Sequence, residues 1–173
     1  MSEFLNRLEK VKVVFLDVDG VLTDGNVLVT EQGEQLRTMN IKDGYALQWA
    51  VKQGLKICII SGGRSMGVVN RLNGLGITDV FIGISDKLYC LNEYLISNKI
   101  NPNEALYMGD DIPDIPVLLK CVLKACPQDA AVDVKAIVDY ISPLGGGKGC
   151  VRDVIEKILR AKGLWHHANG HFW

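Results

Sequence analysis

The chain has 173 residues, a length that suits one domain and leaves no room for two of ordinary size. Hydrophobic residues make up 48% of it and charged residues 23%, which excludes a chain that is disordered throughout. The 19 basic and 20 acidic side chains nearly balance, and a net charge of -1 disfavours a nucleic-acid-binding protein.

The sequence contains no run of 18 apolar residues and no apolar centre in its first ten residues, so we expect no membrane association and a cytoplasmic location. The five cysteines show no CxxC pairing and are expected to be reduced. All three histidines (His166, His167 and His171) lie in the last eight residues. Histidine-nucleophile phosphatases, Ser-His-Asp hydrolases and histidine-rich zinc sites are therefore disfavoured.

The first predicted element is a buried strand at 12–17, because the segment KVVFLD is short, apolar and rich in β-branched residues. Two further strands, at 26–30 and 35–39, flank a Gln-Gly-Glu turn and predict a β-hairpin. A helix at 44–53 follows, with Asp43 as its predicted N-cap.

From residue 55 onward, strand and helix patterns alternate. The predicted order is strand 55–60, helix 65–74, strand 80–83, helix 86–98, strand 105–110, helix 114–120, strand 121–126, helix 129–136, strand 138–141, a glycine loop at 145–149 and a last helix from about 151. This alternation predicts an α/β fold, a Rossmann-like parallel sheet with helices on both faces. We expect a single domain over 1–173, with a hairpin insertion at about 24–39 and a C-terminal tail at about 163–173.

Polar side chains follow several of the predicted strands at the point where each strand ends. Ligands of open parallel sheets bind beyond these carboxyl ends, so we expect the side chains to converge on one rim. The residues concerned are Asp17, Asp19, Ser61, Lys87, Asp110, Asp111 and Asp114.

Such a group of carboxylates repels itself unless a cation is present. Oxygen ligands without histidine or cysteine favour Mg²⁺, and a site with open positions suits a phosphate substrate. An aspartate can attack phosphorus, while a second carboxylate exchanges protons with the leaving group and with water. The composition of the rim thus predicts a magnesium-dependent phosphatase.

Four segments in order, DVDGVLTDG, IISGG, DK and MGDDIPD, resemble the motifs of the haloacid dehalogenase (HAD) superfamily of aspartate-nucleophile phosphatases. The resemblance implies that Asp17 is the nucleophile and Asp19 the general acid and base. It also implies that Ser61 binds phosphate and that Lys87 orients and neutralises the nucleophile.

The same resemblance implies a magnesium site. Its direct ligands would be the carboxylates of Asp17 and Asp110 and the main-chain oxygen of Asp19. Asp111 and Asp114 would not bind the ion directly but would support its ligands or act through water.

The segments between the motifs hold only a hairpin, helices and strands, with no room for the cap domain found in many members of that superfamily. A capless body with NIKDGYAL and GGGKGCVRDV segments resembles the 3-deoxy-D-manno-octulosonate 8-phosphate phosphatase family, which acts in lipopolysaccharide sugar synthesis. That resemblance implies a homotetramer, with hairpins paired centrally and a neighbouring chain's tail near the site. The implied substrate, a small acidic sugar phosphate, would contact Asp19, Asn40, Ile41, Lys42, Asp43, Gly44, Gln48, Gly62, Arg64, Arg71 and Lys87.

Three alternatives remain open at this point. Gly63 and Gln48 stand where arginine is common in that family, which keeps a nine-carbon ulosonate 9-phosphate as an alternative substrate. A phospho-receiver switch also uses acidic residues, lysine and Mg²⁺, although it carries its aspartate after the third strand, where Gly83 stands here. A capless phosphatase acting on a macromolecule is the third alternative.

Overall fold

The structure, a computed structural model, describes residues 2–165 of the chain and the side chains of residues 6–165. The three histidines and most of the predicted tail lie outside the described residues. The strands are β1 (Val13–Leu16), β2 (Leu28–Val29), β3 (Gln35–Leu36), β4 (Lys56–Ile60), β5 (Asp79–Phe81), β6 (Ala105–Met108), β7 (Leu123–Cys126) and β8 (Tyr140–Ile141). The α-helices are α1 (Ser2–Glu9), α2 (Ile41–Lys52), α3 (Met66–Asn73), α4 (Lys87–Ser97), α5 (Ile115–Lys120), α6 (Val132–Lys135) and α7 (Cys150–Ala161).

Six strands form one sheet in the order β5–β4–β1–β6–β7–β8, and every pair in it is parallel. The chain leaves β1 toward β4 and β5 on one side and then returns to β6, β7 and β8 on the other. A crevice therefore opens beyond the carboxyl end of β1, where the strand order reverses. The predicted α/β fold is confirmed.

Two hydrophobic cores cover the two faces of this sheet, and β1 contributes to both. Val13 and Phe15 point to the core that α4 and α5 complete, while Val14 and Leu16 point to the core that α2 and α7 complete. All four side chains are fully buried, as expected for a central parallel strand. This burial on both faces fixes the position of Asp17, the next residue along the chain.

The predicted hairpin is present as the antiparallel pair of β2 and β3. It is the only regular structure described between β1 and α2, so no cap domain occupies this segment within residues 2–165. Its apolar side chains are exposed; they are Val27, Leu28, Val29 and Leu36.

The start of α2 differs from the prediction. The N-cap is Asn40, whose Oδ1 accepts hydrogen bonds from the backbone N–H groups of Lys42 (2.8 Å) and Asp43 (3.4 Å). Asp43 is the third residue of the helix, and its carboxylate instead accepts the N–H of Arg152 at 2.6 Å. Because Arg152 is the third residue of α7, the carboxylate of Asp43 satisfies the N–H that an N-cap side chain of α7 would bind.

One further element was not predicted. Helix α1 (Ser2–Glu9) packs on α7, with Leu8 buried in the core between them. No helix among the described residues is long and apolar enough to cross a membrane.

Candidate active site

The structure brings the predicted polar residues together at the carboxyl ends of the central strands. Asp17 directly follows β1, Ser61 directly follows β4, and Asp110 comes two residues after β6. Lys87 begins α4, which follows β5. They line a cavity of about 430 Å³, a size suited to a small molecule.

Lys87 is the hub of this site. Its Nζ lies 3.0 Å from Oδ2 of Asp17 and 2.8 Å from Oδ1 of Asp114, and its side chain is only 10% exposed. Burial alone would lower the pKa of Lys87, but the two carboxylates raise it, so Lys87 is a fixed positive charge.

The surroundings of Asp17 and Asp110 raise the pKa values of both carboxylates when no cation is present. Burial, followed by the charge of Asp114, raises the pKa of Asp17 to about 6, although Lys87 opposes the change. Burial and then the charges of Asp17, Asp114 and Asp111 raise the pKa of Asp110 to about 7. A further positive charge nearby would favour the charged forms of both carboxylates.

One carboxylate oxygen from each of Asp17, Asp110 and Asp114 lies within 4.8 Å of the other two. Three carboxylates against the one ammonium of Lys87 leave two negative charges in excess, which one divalent cation would neutralise. The donors are all hard oxygens, as Mg²⁺ prefers. The residues present therefore fit a magnesium ion.

Asp114 is a supporting residue rather than a free ligand, because both of its oxygens already accept hydrogen bonds. Oδ1 accepts from Lys87 and from the hydroxyl of Tyr107 (2.7 Å), and Oδ2 accepts from the backbone N–H of Asp110 (3.0 Å). Asp114 is 1% exposed. It fixes both Lys87 and the turn that carries Asp110, in line with an indirect role, whereas Asp111 is exposed at the rim of the cavity.

The loop after β1 approaches its neighbours too closely for side chains. Gly20 has a φ of +89°, and a Cβ there would overlap the carboxylate of Asp110. A Cβ at Gly146 would overlap the backbone of Gly20 and Thr23. The glycine loop at 145–149 therefore packs directly against the loop that follows β1.

Ser61 is 2% exposed, and its Oγ accepts the backbone N–H of Gly63 at 3.0 Å. This bond uses the oxygen as an acceptor and leaves the hydroxyl proton available to a bound anion. Gly62, a predicted substrate contact, also lines the cavity, as do Ile84 and Ser85, which were not predicted.

Only some of the residues predicted to bind the sugar line this cavity. Asp19, Gly62 and Lys87 line the cavity, whereas Arg64 and Arg71 are exposed outside its lining. The guanidinium of Arg71 lies against Gly44, where a Cβ would come within 2.7 Å of Nη2. The others outside the lining are Asn40, Ile41, Lys42, Asp43, Gly44 and Gln48.

Two of these residues have structural partners. The carboxamide of Asn40 caps α2 through Oδ1 and donates from Nδ2 to the carbonyl oxygen of Gly147 (3.2 Å). Asp43 is 1% exposed and bound to the start of α7. Both side chains therefore connect α2 to the 147–152 segment.

A larger cavity, of about 530 Å³, lies beside β5 and α4. Its lining includes Asp79, Asp86 and Glu93 but no lysine, arginine or histidine among the described residues. The smaller cavity, in contrast, offers an anionic substrate the ammonium of Lys87 and a carboxylate cluster that fits a divalent cation.

Comparisons with known proteins agree with this geometry. The chain is 34% identical over 169 residues to the 3-deoxy-D-manno-octulosonate 8-phosphate phosphatase of Escherichia coli, covering 98% of this chain and 90% of that protein. A crystal structure of the Moraxella catarrhalis phosphatase of the same name, in complex with magnesium, phosphate and KDO, has a TM-score of 0.92 and 31% identity, covering 95% of each chain. A Legionella pneumophila structure assigned to subfamily III A of the HAD hydrolases has a TM-score of 0.93 and 31% identity, covering 95% of this chain and 91% of that one. No protein-family model matches the chain.

The parallel sheet, the Asp17–Lys87–Asp110 site and these similarities define a phosphatase of the haloacid dehalogenase superfamily. Within that superfamily, the chain belongs to the 3-deoxy-D-manno-octulosonate 8-phosphate phosphatase family. The predicted family is thus confirmed, and the phospho-receiver alternative is wrong because the relatives are phosphoric monoester hydrolases.

Proposed function

We propose that this chain is a Mg²⁺-dependent phosphatase that hydrolyses 3-deoxy-D-manno-octulosonate 8-phosphate through an aspartyl phosphate on Asp17. The convergence of Asp17, Lys87 and Asp110 in one cavity carries the proposal. The choice of substrate rests on the names of the relatives and on the molecules bound to one of them.

In the first step, a carboxylate oxygen of Asp17 forms a bond to phosphorus, and the ester P–O bond to the sugar breaks. The leaving alkoxide takes a proton from Asp19, so the sugar departs as an alcohol. Lys87 holds Asp17 in place and offsets the charge on the transferring group.

In the second step, a water molecule gives a proton to Asp19 and attacks phosphorus. The bond between phosphorus and Asp17 breaks, which restores the carboxylate and releases inorganic phosphate. Ser61 and the backbone at Gly62 would hold phosphate oxygens throughout.

Asp17, Asp110 and the main-chain oxygen of Asp19 would hold the Mg²⁺, with Asp111 and Asp114 in supporting positions. When bound, the ion supplies positive charge to the phosphoryl oxygens and allows the carboxylates and the anionic substrate to share one cavity.

The proposed assembly is a homotetramer that works in the cytoplasm. The exposed hairpin residues, Leu28 (67% exposed) and Val29 (63%) above all, supply an apolar surface that an assembly would cover. The described cysteines are all unpaired, which suits a reducing compartment. Sedimentation of the wild type and of Leu28→Lys tests the assembly; a fully active wild-type monomer would refute it.

The substrate is tested by phosphate release in Mg²⁺ from a panel of sugar phosphates. The panel contains the eight-carbon ulosonate 8-phosphate, a nine-carbon ulosonate 9-phosphate and an aldose phosphate that lacks a carboxylate. We expect the highest kcat/KM for the eight-carbon compound. A higher value for the nine-carbon compound would transfer the assignment to it, and no release above the Asp17→Asn background would refute a phosphatase.

A further inference from the structure

Arg37 and Asp19 form a two-point ion pair at the edge of the site. Nε of Arg37 donates to Oδ1 of Asp19 at 2.6 Å, and Nη2 donates to Oδ2 at 3.1 Å. The Arg37 side chain is 8% exposed, whereas that of Asp19 is 36% exposed. The arginine side chain is thus the less exposed partner, and the aspartate lines the cavity.

The hairpin delivers Arg37 to this place. Arg37 follows β3, and its Nη1 donates to the carbonyl oxygen of Gln35 at 3.2 Å, which ties the guanidinium to its own strand. The backbone of Gly63 packs on the other side, where a Cβ would lie 3.1 Å from Oδ2 of Asp19 and 3.6 Å from Nη2 of Arg37. The pair therefore lies between the hairpin and the 61–63 loop.

We propose that Arg37 is a positioning residue that aims the carboxyl group of Asp19 at the leaving oxygen of the substrate. This inference rests on the proposed function, and it means that the hairpin contributes a residue to the active site. A guanidinium fork fixes the plane of a carboxylate, which a single point charge does not. Without Arg37, the partly exposed Asp19 side chain would rotate toward solvent.

The two oxygens of Asp19 have different surroundings. Oδ1 makes the shorter bond, to Nε, and serves as the anchor. Oδ2 makes the longer bond and faces Gly63, whose absent Cβ would also lie 3.3 Å from Oγ of Ser61. Oδ2 is therefore the oxygen that releases Nη2 when it is protonated and gives that proton to the leaving alkoxide, while Oδ1 stays bound to Nε of Arg37. After it has taken a proton from water in the second step, Oδ2 is again the acid.

This role predicts a dependence on the leaving group. A sugar alkoxide needs a proton as the P–O bond breaks, whereas 4-nitrophenolate is stable as an anion and does not. Loss of Arg37 will therefore slow the first step for the sugar phosphate and spare it for 4-nitrophenyl phosphate. The second step, in which Asp19 accepts a proton from water, will slow for both substrates.

The test compares Arg37→Met with Lys148→Met, which removes a surface ion pair to Asp24 and serves as the matched control. In Arg37→Met we expect kcat for the sugar phosphate to fall about ten- to a hundredfold, with KM changed less than about threefold. The burst of 4-nitrophenolate should keep its rate within about threefold and be followed by slower turnover. Lys148→Met should match the wild type in every measurement.

Three results would overturn the inference: wild-type rates in Arg37→Met, an equal loss of the burst and of sugar-phosphate turnover, or a further loss when Arg37→Met is added to Asp19→Asn. Arg37→Lys is a second variant in case Arg37→Met does not fold. It keeps the positive charge but not the two-point geometry, so it should show the same selective loss of kcat for the sugar phosphate, and the loss should be smaller. A wild type inactive on both substrates would instead refute the proposed function.

Discussion

The ammonium of Lys87 lies 3.0 Å from a carboxylate oxygen of Asp17, although one residue starts α4 and the other follows β1. The same ammonium binds Asp114, which in turn accepts the backbone N–H of Asp110. One buried network thus connects Asp17, the proposed nucleophile, through the ammonium of Lys87 to the turn that carries Asp110, a proposed metal ligand.

Replacing Lys87, which connects these carboxylates, should lower both activity and stability. In Lys87→Met, the two buried carboxylates of Asp17 and Asp114 lose their ammonium partner, so we expect the free energy of unfolding to fall by about 3 kcal/mol. We expect kcat to fall by at least about a hundredfold. Urea unfolding and phosphate release measure the two effects. Lys12→Met, which breaks an exposed pair with Glu104, should leave the free energy of unfolding nearly unchanged.

Mg²⁺ should stabilise the folded chain as well as activate it. At a free concentration a hundredfold above its Kd, the ion would add about 2.7 kcal/mol to the free energy of unfolding. Thermal unfolding with Mg²⁺ and with EDTA measures this difference. Asp110→Asn should abolish most of it, whereas Asp133→Asn, an exposed acid on α6, should preserve it. An unchanged Mg²⁺ effect in Asp110→Asn would place the ion elsewhere.

The metal-free protein should lose stability as the pH rises from about 4 to about 7. The pKa values of Asp17 (about 6) and Asp110 (about 7) are raised above the ordinary value of 3.8, so the folded chain holds more protons than the unfolded chain in this range. Their protonated forms favour folding, and that contribution is lost as each group ionises. Urea unfolding in EDTA across this range should show the decline, and Asp110→Asn should flatten it. A rise in stability attributable to Asp110 would contradict the pKa shift.

Asp43 should prove structural. Removing its carboxylate in Asp43→Ala leaves the N–H of Arg152 without its acceptor, and we expect a loss of about 1–2 kcal/mol in stability. The values of kcat and KM should stay within about twofold of the wild type. Asp43→Asn, which keeps an acceptor oxygen, should recover most of the stability. A large rise in KM without a loss of stability would return Asp43 to the substrate site.

The sequence was most informative where a signal is local. The buried strands, the alternation with helices and the polar residues at strand ends all follow from short patterns, and the structure places Asp17, Ser61, Lys87 and Asp110 around one cavity. The N-cap of α2 was misplaced because Asn40 and Asp43 are both good capping residues. Only the packing of α2 on α7 directs Asp43 elsewhere.

Contacts between distant segments could not be predicted. Arg37 looks like an ordinary strand residue until the hairpin folds against Asp19. In the sequence, Tyr107 occupies an ordinary buried strand position, and only the fold shows that its hydroxyl donates to Asp114. Helix α1 has too short an apolar stripe to be recognised without its partner α7.

The most direct test of the account is the site of the covalent intermediate. Wild-type enzyme quenched in acid during turnover of the sugar phosphate should carry a phosphoryl group on the peptide that contains Asp17, detected by mass spectrometry. Asp17→Asn should fold normally, carry no phosphoryl group and lose more than about a thousandfold in kcat. Asp24→Asn, in the same loop but paired only with a surface lysine among the described salt bridges, should behave as the wild type. Turnover at the wild-type rate in Asp17→Asn, or a phosphoryl group on another residue, would contradict the account.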